Sequence, residues 1–358
     1  MKKILSIVLA CMMMAIAFVG CSGTQNNPEK SAEPAKSAEP AKTAEVAETN
    51  TPDTDKKVKV TVVVAGGLGD RSFFDSANEG LQDLINDYGV EGKVIECKQD
   101  ATMYKEQLIA ASETSDIVVP VGWEFWDAIT EVAPTMPNVK YIFVDNGLDG
   151  IANVESIVYA QNEGSFLVGY IAGKMSTTGK VGAVGGEDSE TINDFIVGYE
   201  QGAKYANENV QCEHIYIDTY DDPAKGKEAA LTLYGKGCDI VFQIAGKAGE
   251  GVFEAAQEQS KYAIGVDADQ KYINPEVIIA SMRKNVGLSI YKVVEEYIKN
   301  GTFDGGKVVI ADTATGFIDA VYGDDTMTQQ VSSELKAEVE ALKAKIVSGE
   351  IKVDSTRN

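Results

Sequence analysis

The stretch VTVVVAGGLGDRSFFD, residues 60–75, joins an apolar run to a glycine-rich turn and the beginning of a more polar segment, and it decides the fold class. Its run VTVVV is β-branched at every position, and IVVPV at residues 117–121 is almost as uniformly apolar. Strands that are apolar on both faces are typical of parallel sheets that helices cover on both sides. The sequence therefore predicts an α/β fold.

Short β-branched runs continue along the chain, with amphipathic stretches between most of them. From these runs we predict twelve strands, at residues 58–64, 93–97, 116–121, 141–144, 155–159, 180–184, 214–217, 239–243, 262–266, 277–280, 307–310 and 317–321. A strongly twisted sheet rarely exceeds about 10 strands, and residues 155–161 lie near the middle, where a strand can leave one sheet and enter another. The pattern predicts two flavodoxin-like lobes, with a ligand-binding crevice at the carboxyl ends of their strands.

The first 20 residues have the composition of a signal peptide, because Lys2 and Lys3 precede an uncharged, mostly apolar run. That run ends in FVGC, residues 18–21, which resembles a lipobox. It is shorter than the about 20 apolar residues that a membrane-spanning helix needs. We therefore predict cleavage before Cys21 and a diacylglycerol group on its thiol, so that a lipid anchors the mature chain.

The segment after Cys21 consists almost entirely of small, polar and charged residues, and KSAEPA occurs in it twice, at residues 30–35 and 36–41. Such a segment lacks the apolar surface that offsets the entropy of ordering, so residues 21–57 are predicted to be a solvated tether. The whole chain has a formal net charge of −23. This charge argues against nucleic acid as a partner and against direct adhesion to anionic lipid.

Patterns of catalytic and metal-binding residues are scarce. The only histidine, His214, falls inside a predicted strand, and no HExxH, GxSxG or Walker A motif occurs. Cys97, Cys212 and Cys238 have no CxxC spacing, which favours buried free thiols, although a bridge between Cys212 and Cys238 is an alternative. The sequence favours binding over catalysis, and we predict no catalytic residue, no cofactor and no metal site.

The glycine-rich turn GGLGDRS, residues 66–72, has two interpretations. It nearly matches a dinucleotide-binding fingerprint, with a serine in place of the third glycine, and Glu96 ends the next predicted strand, where an acid can bind ribose. This alternative is an exported, nicotinamide-dependent oxidoreductase. In the other interpretation, which we favour, the turn presents Asp70, Ser72 and Phe73 to the crevice, since glycine allows close approach of a ligand and an aromatic face allows stacking.

Eight motifs occur in order along the chain. They are GDRSFFD (69–75), VYAQNEGSFLVGYIAG (158–173), TGKVGAVGG (178–186), DDPAKGKEAA (221–230), AGKAGEGV (245–252), IGVDADQ (264–270), SMRKNVG (281–287) and IVSGEIKV (346–353). Together they resemble the basic membrane protein family of lipoproteins, which includes a purine nucleoside receptor. The resemblance covers essentially the whole chain after the tether.

The resemblance implies a type I periplasmic-binding-protein-like fold, in which two doubly wound lobes are joined by a three-crossing hinge. Residues 58–160 and 282–312 are then lobe 1, and residues 161–281 and 313–358 are lobe 2. It also implies an ABC importer, with permease and ATPase subunits, as the partner of a monomeric receptor.

In such relatives the nucleobase lies between two aromatic rings, whose positions match Phe73 and Tyr220. The ribose hydroxyls are bound in relatives by residues that match Asp267, Gly246 and Lys284. An acid that contacts the base in relatives has its approximate match in Asp145.

One position departs from the purine nucleoside receptors, which carry a base-binding aspartate where this chain has Val64. The loss of such a charge-assisted hydrogen bond is worth about 1.5–3 kcal/mol. Phe74, Trp123 and Trp126 can enlarge the site or make it more apolar, although the tryptophans can equally pack a lobe. We therefore predict a lipid-anchored receptor on the extracytoplasmic face of the cell membrane for a nucleoside, with a purine nucleoside favoured and riboflavin or another heterocycle as the alternative.

Overall fold

The computed structural model describes residues 57–357. The predicted signal peptide, Cys21 and residues 22–56 of the predicted tether lie outside the described residues. Within residues 57–357, no helix has both the length and the apolar character that crossing a membrane requires.

The described chain alternates strands and helices. Its strands are β1 (Lys59–Val64), β2 (Glu91–Glu96), β3 (Ile117–Val121), β4 (Lys140–Val144), β5 (Val154–Tyr159), β6 (Lys180–Gly185), β7 (Gln211–Tyr216), β8 (Ile240–Ile244), β9 (Tyr262–Asp267), β10 (Ile278–Lys284), β11 (Lys307–Ala311) and β12 (Ile318–Val321). Its α-helices are α1 (Phe73–Tyr88), α2 (Ala101–Ser112), α3 (Trp126–Val132), α4 (Gln161–Met175), α5 (Glu190–Ala206), α6 (Pro223–Gly235), α7 (Glu250–Gln259), α8 (Val286–Asn300) and α9 (Ser333–Val347). Short 3-10 helices lie at Trp123–Phe125, Ala133–Thr135, Gly246–Gly249 and Gln270–Ile273.

The strands form two six-stranded sheets. The first has the order β11-β5-β4-β3-β1-β2 and is parallel throughout. The second has the order β12-β10-β9-β8-β6-β7, and only β12 runs antiparallel to its neighbour. The prediction of an α/β fold with two doubly wound lobes is confirmed.

Each of the twelve predicted strands has a counterpart, and the differences lie at strand ends. β7 begins at Gln211, three residues before the prediction, and β10 continues to Lys284. Neither extension contains a β-branched residue that would indicate a strand. The extension of β7 lies on a half-exposed edge strand, and that of β10 contains polar side chains.

The chain passes between the sheets three times. The first crossing runs from β5 in the first sheet to β6 in the second. The second runs from β10 in the second sheet to α8, which packs against α1 beside the first sheet. The third runs from β11 in the first sheet to β12 in the second. The second crossing therefore follows Lys284, whereas the sequence placed it after residue 281. Since Lys284 ends β10, this crossing lies directly beside the crevice.

The core consists mainly of the valines, isoleucines and aromatics of the central strands, with helices paired over them, α1 with α8, α4 with α5, and α6 with α7. Helix α9 buries Val339, Leu342 and Ile346 and contacts α4. The three described cysteines are free thiols, and Cys97 and Cys238 are buried. The paired helices thus cover the sheets, and residues at the carboxyl ends of strands from both sheets line the crevice.

Candidate ligand-binding site

A cavity of about 670 Å³, counted out to its open mouth, lies at the carboxyl ends of strands from both sheets. Nine of the ten predicted binding residues line it, namely Asp70, Phe73, Phe74, Trp123, Asp145, Tyr220, Gly246, Asp267 and Lys284. Ser72 does not line the cavity, but its hydroxyl contacts Asp267, which does.

Each lobe contributes an aromatic ring. Phe73 is the first residue of α1 in lobe 1, and its ring meets Phe74 edge-on with 5.2 Å between centroids. Tyr220 follows β7 in lobe 2 and lies flat against the backbone of Gly186, where a Cβ atom would be 2.1 Å from Cε1 of the tyrosine ring. Glycine is therefore required at position 186 if the tyrosine ring is to keep this place.

A buried ion pair joins the two lobes at the base of the cavity. Nζ of Lys284, at the end of β10, is 2.8 Å from Oδ1 of Asp145, which follows β4. The same ammonium lies 4.8 Å from the ring centroid of Phe73, 4.9 Å from that of Tyr159 and 5.3 Å from that of Phe195. Because aromatic faces attract cations, the rings and the carboxylate together hold this charge away from bulk water.

Asp267, at the end of β9, is the second buried carboxylate of the cavity. Ser72 Oγ donates a hydrogen bond of 2.6 Å to its Oδ2, so the predicted ligand contact Ser72 instead binds a residue of the other lobe. Among the described residues no donor reaches Oδ1 of Asp267. Burial raises the pKa of this carboxyl, and the nearby Lys284 and the Ser72 hydroxyl oppose the rise. The free oxygen is an acceptor for a ligand hydroxyl.

The backbone is left-handed at three positions of the site. φ is +78° at Asp145, +62° at Asp267 and +53° at Gly246. Non-glycine residues rarely adopt such angles, and aspartate and asparagine do so more readily than most. Strain of this kind is concentrated at functional sites, and here it places two carboxylates at the ends of their strands.

Asp70 lines the cavity, but its oxygens already have donors. They accept hydrogen bonds from the backbone N–H groups of Ser72 (3.0 Å), Phe74 (2.9 Å) and Asp75 (3.0 Å). Burial raises the pKa of Asp70 to about 6 in spite of these bonds. Its carboxylate caps α1, and it therefore positions Phe73 more than it offers an acceptor to a ligand.

The amides of the glycine-rich turn are occupied in the same way. The N–H of Leu68 donates to Glu96 Oε2 at 3.0 Å, and those of Gly69 and Arg71 donate to the two oxygens of Asp75 at 2.8 Å each. A dinucleotide phosphate needs such amides free, and here it would meet carboxylates instead.

Several cavity residues have no counterpart in the sequence prediction: Gln99, Gly122, Glu124, Thr191, Ile192, Phe195, Asp221, Ile244, Lys247 and Val266. One of them is Glu124, which follows β3 and whose pKa burial raises to about 7. The sequence signal that could have identified it is its place in a turn after a buried strand, beside Trp123.

Two positions that the sequence singled out lie outside the cavity. Val64 is fully buried and does not line it. Trp126 is 39% exposed and packs against Phe143, with 6.3 Å between ring centroids, so that Trp123 is the tryptophan of the cavity wall.

Metal ligands do not cluster anywhere within residues 57–357. His214 lies on β7, where its Nδ1 is 3.6 Å from Oε1 of Glu200, and it does not line the cavity. The titratable groups of the site are therefore the carboxyls, Tyr220, Lys247 and Lys284.

Comparison with known proteins gives consistent findings. Residues 57–357 match the family described as ABC transporter substrate-binding protein PnrA-like. The chain is 34% identical over 299 residues to Basic membrane protein A1 of Borrelia garinii subsp. bavariensis, an alignment that covers 82% of this chain and 87% of that protein. A solved solute-binding protein of an ABC transporter system from Aeropyrum pernix K1 superposes with a TM-score of 0.75 at 28% identity, covering 84% of this chain and 94% of that one. A second, from Conexibacter woesei, superposes with a TM-score of 0.69 at 25% identity and covers 84% of this chain and 99% of the other.

Proposed function

The chain belongs to the family of PnrA-like ABC transporter substrate-binding proteins, and from that premise we propose that it binds a nucleoside and delivers it to an ABC importer. A purine nucleoside is the favoured ligand. The fold is the type I periplasmic-binding-protein-like fold of solved solute-binding proteins. In this function the chain binds and releases its ligand unchanged and catalyses no reaction.

The observation that carries the proposal is the pair of aromatic rings, one from each lobe, above a set of buried polar groups. Phe73 and Tyr220 line one cavity from opposite lobes, and both are only partly buried. Stacking of a flat heterocycle on each ring contributes about 0.5–1.5 kcal/mol beyond the burial of area. A planar base is therefore a better fit than a sugar alone.

The polar groups supply partners for a ribose. Asp267 has one oxygen without a donor, and Lys284 and Gly246 line the same part of the chain's crevice at neighbouring strand ends. A carboxylate that accepts from a hydroxyl forms a charge-assisted bond, which is stronger than a neutral one. We assign the ribose hydroxyls to Asp267, Gly246 and Lys284, and a contact with the base to Asp145.

The rival function, a nicotinamide-dependent oxidoreductase, is poorly supported by the glycine-rich turn. Its amides donate to Glu96 and Asp75, and Asp70 occupies the amides at the start of α1. A pyrophosphate at this turn would displace three carboxylates or be repelled by them. The family match also indicates binding rather than turnover.

The lipobox-like segment FVGC at residues 18–21 supports the location of this receptor. We infer that Cys21 carries a lipid anchor and that residues 22–57 tether the lobes on the extracytoplasmic face of the cell membrane. Capture outside the cell is what a receptor for an importer requires.

A second ligand, riboflavin, is favoured by the aromatic character of one wall. Trp123 and Phe74 line the cavity in addition to Phe73 and Tyr220. A tricyclic ring needs more apolar contact area than a purine, and its ribityl chain carries hydroxyls for the same polar groups.

The test is a thermal-shift screen of the purified chain against nucleosides, free nucleobases and riboflavin. A ligand at 100 times its Kd stabilises the folded state by about 2.7 kcal/mol, which gives a measurable rise in Tm. We expect the largest rise with a purine nucleoside. A rise with riboflavin alone, or a flavin spectrum in the purified protein, would replace the nucleoside by riboflavin, and no rise with any of them would refute both.

A further inference from the structure

Glu124 has a carboxyl group that the ribose and stacking assignments leave unused. It lines the cavity from the turn after β3. Gly122 has a φ of +126°, and a Cβ atom there would lie 2.4 Å from Oε2 of Glu124 and 3.1 Å from Cβ of Ala65. The Glu124 carboxyl thus lies over Gly122, on the side where Ala65 follows β1.

Two acidic side chains lie among the groups that face this carboxyl, and the chain gives it few hydrogen bonds. Within the described part of the chain, only the backbone N–H of Glu124 itself donates to it. The titratable and charged groups that face it are Asp145 after β4, Glu187 after β6, Lys284 on β10, Tyr104 on α2 and Tyr220 after β7. Burial is the main cause of its raised pKa of about 7, and Asp145 and Glu187 add to it while Lys284 opposes it. Near neutral pH the group can therefore bind a ligand with or without its proton.

The two forms of a carboxyl group recognise different ring edges. A neutral carboxylic acid donates one hydrogen bond and accepts another, so it pairs with an N–H donor beside an acceptor, the edge that hypoxanthine, adenine and the pyrimidine ring of a flavin share. An ionised carboxylate only accepts, so it pairs with two neighbouring donors, the edge of guanine.

We propose that Glu124 selects the heterocycle by binding, as a neutral acid, a ring edge that carries one donor beside one acceptor. This inference rests on the proposed function and names the specificity-determining group of the same site. The carboxylates around Glu124 favour its neutral form, and a ligand edge of this kind supplies the partners that the chain does not.

The test uses the pH dependence of affinity. A ligand that binds only the neutral acid is bound about tenfold more weakly at pH 8 than at pH 6, because the fraction of neutral Glu124 falls by that factor above a pKa of about 7. The Kd of inosine, adenosine and riboflavin, measured by titration calorimetry with the full chain at both pH values, gives this ratio directly. Glu124→Gln keeps a donor and an acceptor but cannot ionise, so its ratio is expected to fall to about one.

Two further variants separate this role from its neighbours. Glu187→Gln makes the same chemical change just outside the cavity and is expected to keep a ratio well above one. Glu124→Ala removes both hydrogen bonds and is expected to weaken binding by about tenfold or more at pH 6.

The outcomes distinguish the two proposals. If none of the three ligands binds the unaltered chain, the proposed function fails and the role of Glu124 fails with it. If one binds but its Kd is the same at both pH values, or if Glu124→Gln keeps the pH dependence, the receptor function stands and the selection by Glu124 is refuted. Tighter binding of guanosine that strengthens with rising pH would show that the ionised form selects the base.

Discussion

Asp267→Asn tests the ribose assignment more cleanly than an alanine substitution does. Asp267 has a φ of +62°, and asparagine tolerates this left-handed backbone whereas alanine would add strain. The variant keeps the shape of the side chain and an oxygen that can still accept from Ser72 Oγ, which is 2.6 Å from Oδ2 in the unaltered chain. The NH2 group of the asparagine then takes the place of the free Oδ1, and it cannot accept a hydrogen bond. What it removes is the charged acceptor that the free Oδ1 offers to a ligand hydroxyl.

The expected loss follows from the strength of this bond. A hydrogen bond to a charged group contributes about 1.5–3 kcal/mol, so the loss of the bond to Oδ1 costs about that amount. Nucleoside affinity should therefore fall by about 10- to 150-fold. The free nucleobase lacks the ribose, and its affinity should not change.

Without ligand, the substitution is not expected to destabilise the folded state. Burial raises the pKa of Asp267, so the folded state binds this proton more tightly than the unfolded state does. The stability associated with this group is therefore lost as pH rises through the range between the unfolded and folded pKa values. A neutral asparagine avoids the buried charge, and Tm without ligand at pH 7 should be unchanged or higher.

Titration calorimetry and thermal unfolding of the variant at pH 7 measure all three quantities. The control ligand is a 2′-deoxynucleoside, which lacks one ribose hydroxyl. The unaltered chain should bind it more weakly than the nucleoside, and the substitution should reduce its affinity by a smaller factor than that of the nucleoside. Equal loss of affinity for the nucleoside and the free base would refute the reasoning, as would an unchanged affinity for the nucleoside.

Two other substitutions test the ion pair and the position of the aromatic ring. Lys284→Met leaves Asp145 buried without its cation, which should destabilise the fold by about 3–5 kcal/mol, and the double variant with Asp145→Asn should recover much of that loss in a denaturant titration. If the single variant unfolds at the same denaturant concentration as the unaltered chain, the pair has no structural role. Gly186→Ala places a Cβ atom 2.1 Å from the Tyr220 ring, so the ring must move and nucleoside affinity should fall although residue 186 does not line the cavity. Calorimetry checks this, and unchanged affinity would show that stacking on Tyr220 contributes little.

The sequence was informative about the fold because strand formation here depends on local composition. Runs such as VTVVV predict buried parallel strands, and their alternation with amphipathic stretches predicts the two lobes. The end of β10 was missed because Ser281, Arg283 and Lys284 are polar. These side chains belong to the strand because it ends at the crevice, a tertiary reason that composition does not show.

The site was predictable only as far as motifs and strand ends define it. An acid in a glycine-rich turn can bind a ligand or cap the next helix, and Asp70 caps α1. A serine beside it can face the ligand or the other lobe, and Ser72 binds Asp267. Glu124 belongs to no motif that the sequence shows. Its place in the cavity depends on the positive φ of Gly122, which is a property of the folded backbone.

Some contacts between the lobes involve residues that are also proposed ligand contacts, and others lie beside them. Ser72 of lobe 1 donates to Asp267 of lobe 2, and Gln270 Nε2 of lobe 2 donates to the backbone oxygen of Arg71 of lobe 1 at 3.0 Å. Nε of Arg71 also lies 3.7 Å from Oε1 of Glu250 in lobe 2. This ion pair is partly exposed, so it contributes little to the stability of the contact between the lobes. Each of these polar bonds is worth about 1 kcal/mol. They add to the buried Lys284–Asp145 pair, which also joins the lobes. Asp267 binds both the opposite lobe and, in our assignment, the ribose, so ligand affinity and closure of the crevice should change together when its carboxylate is altered.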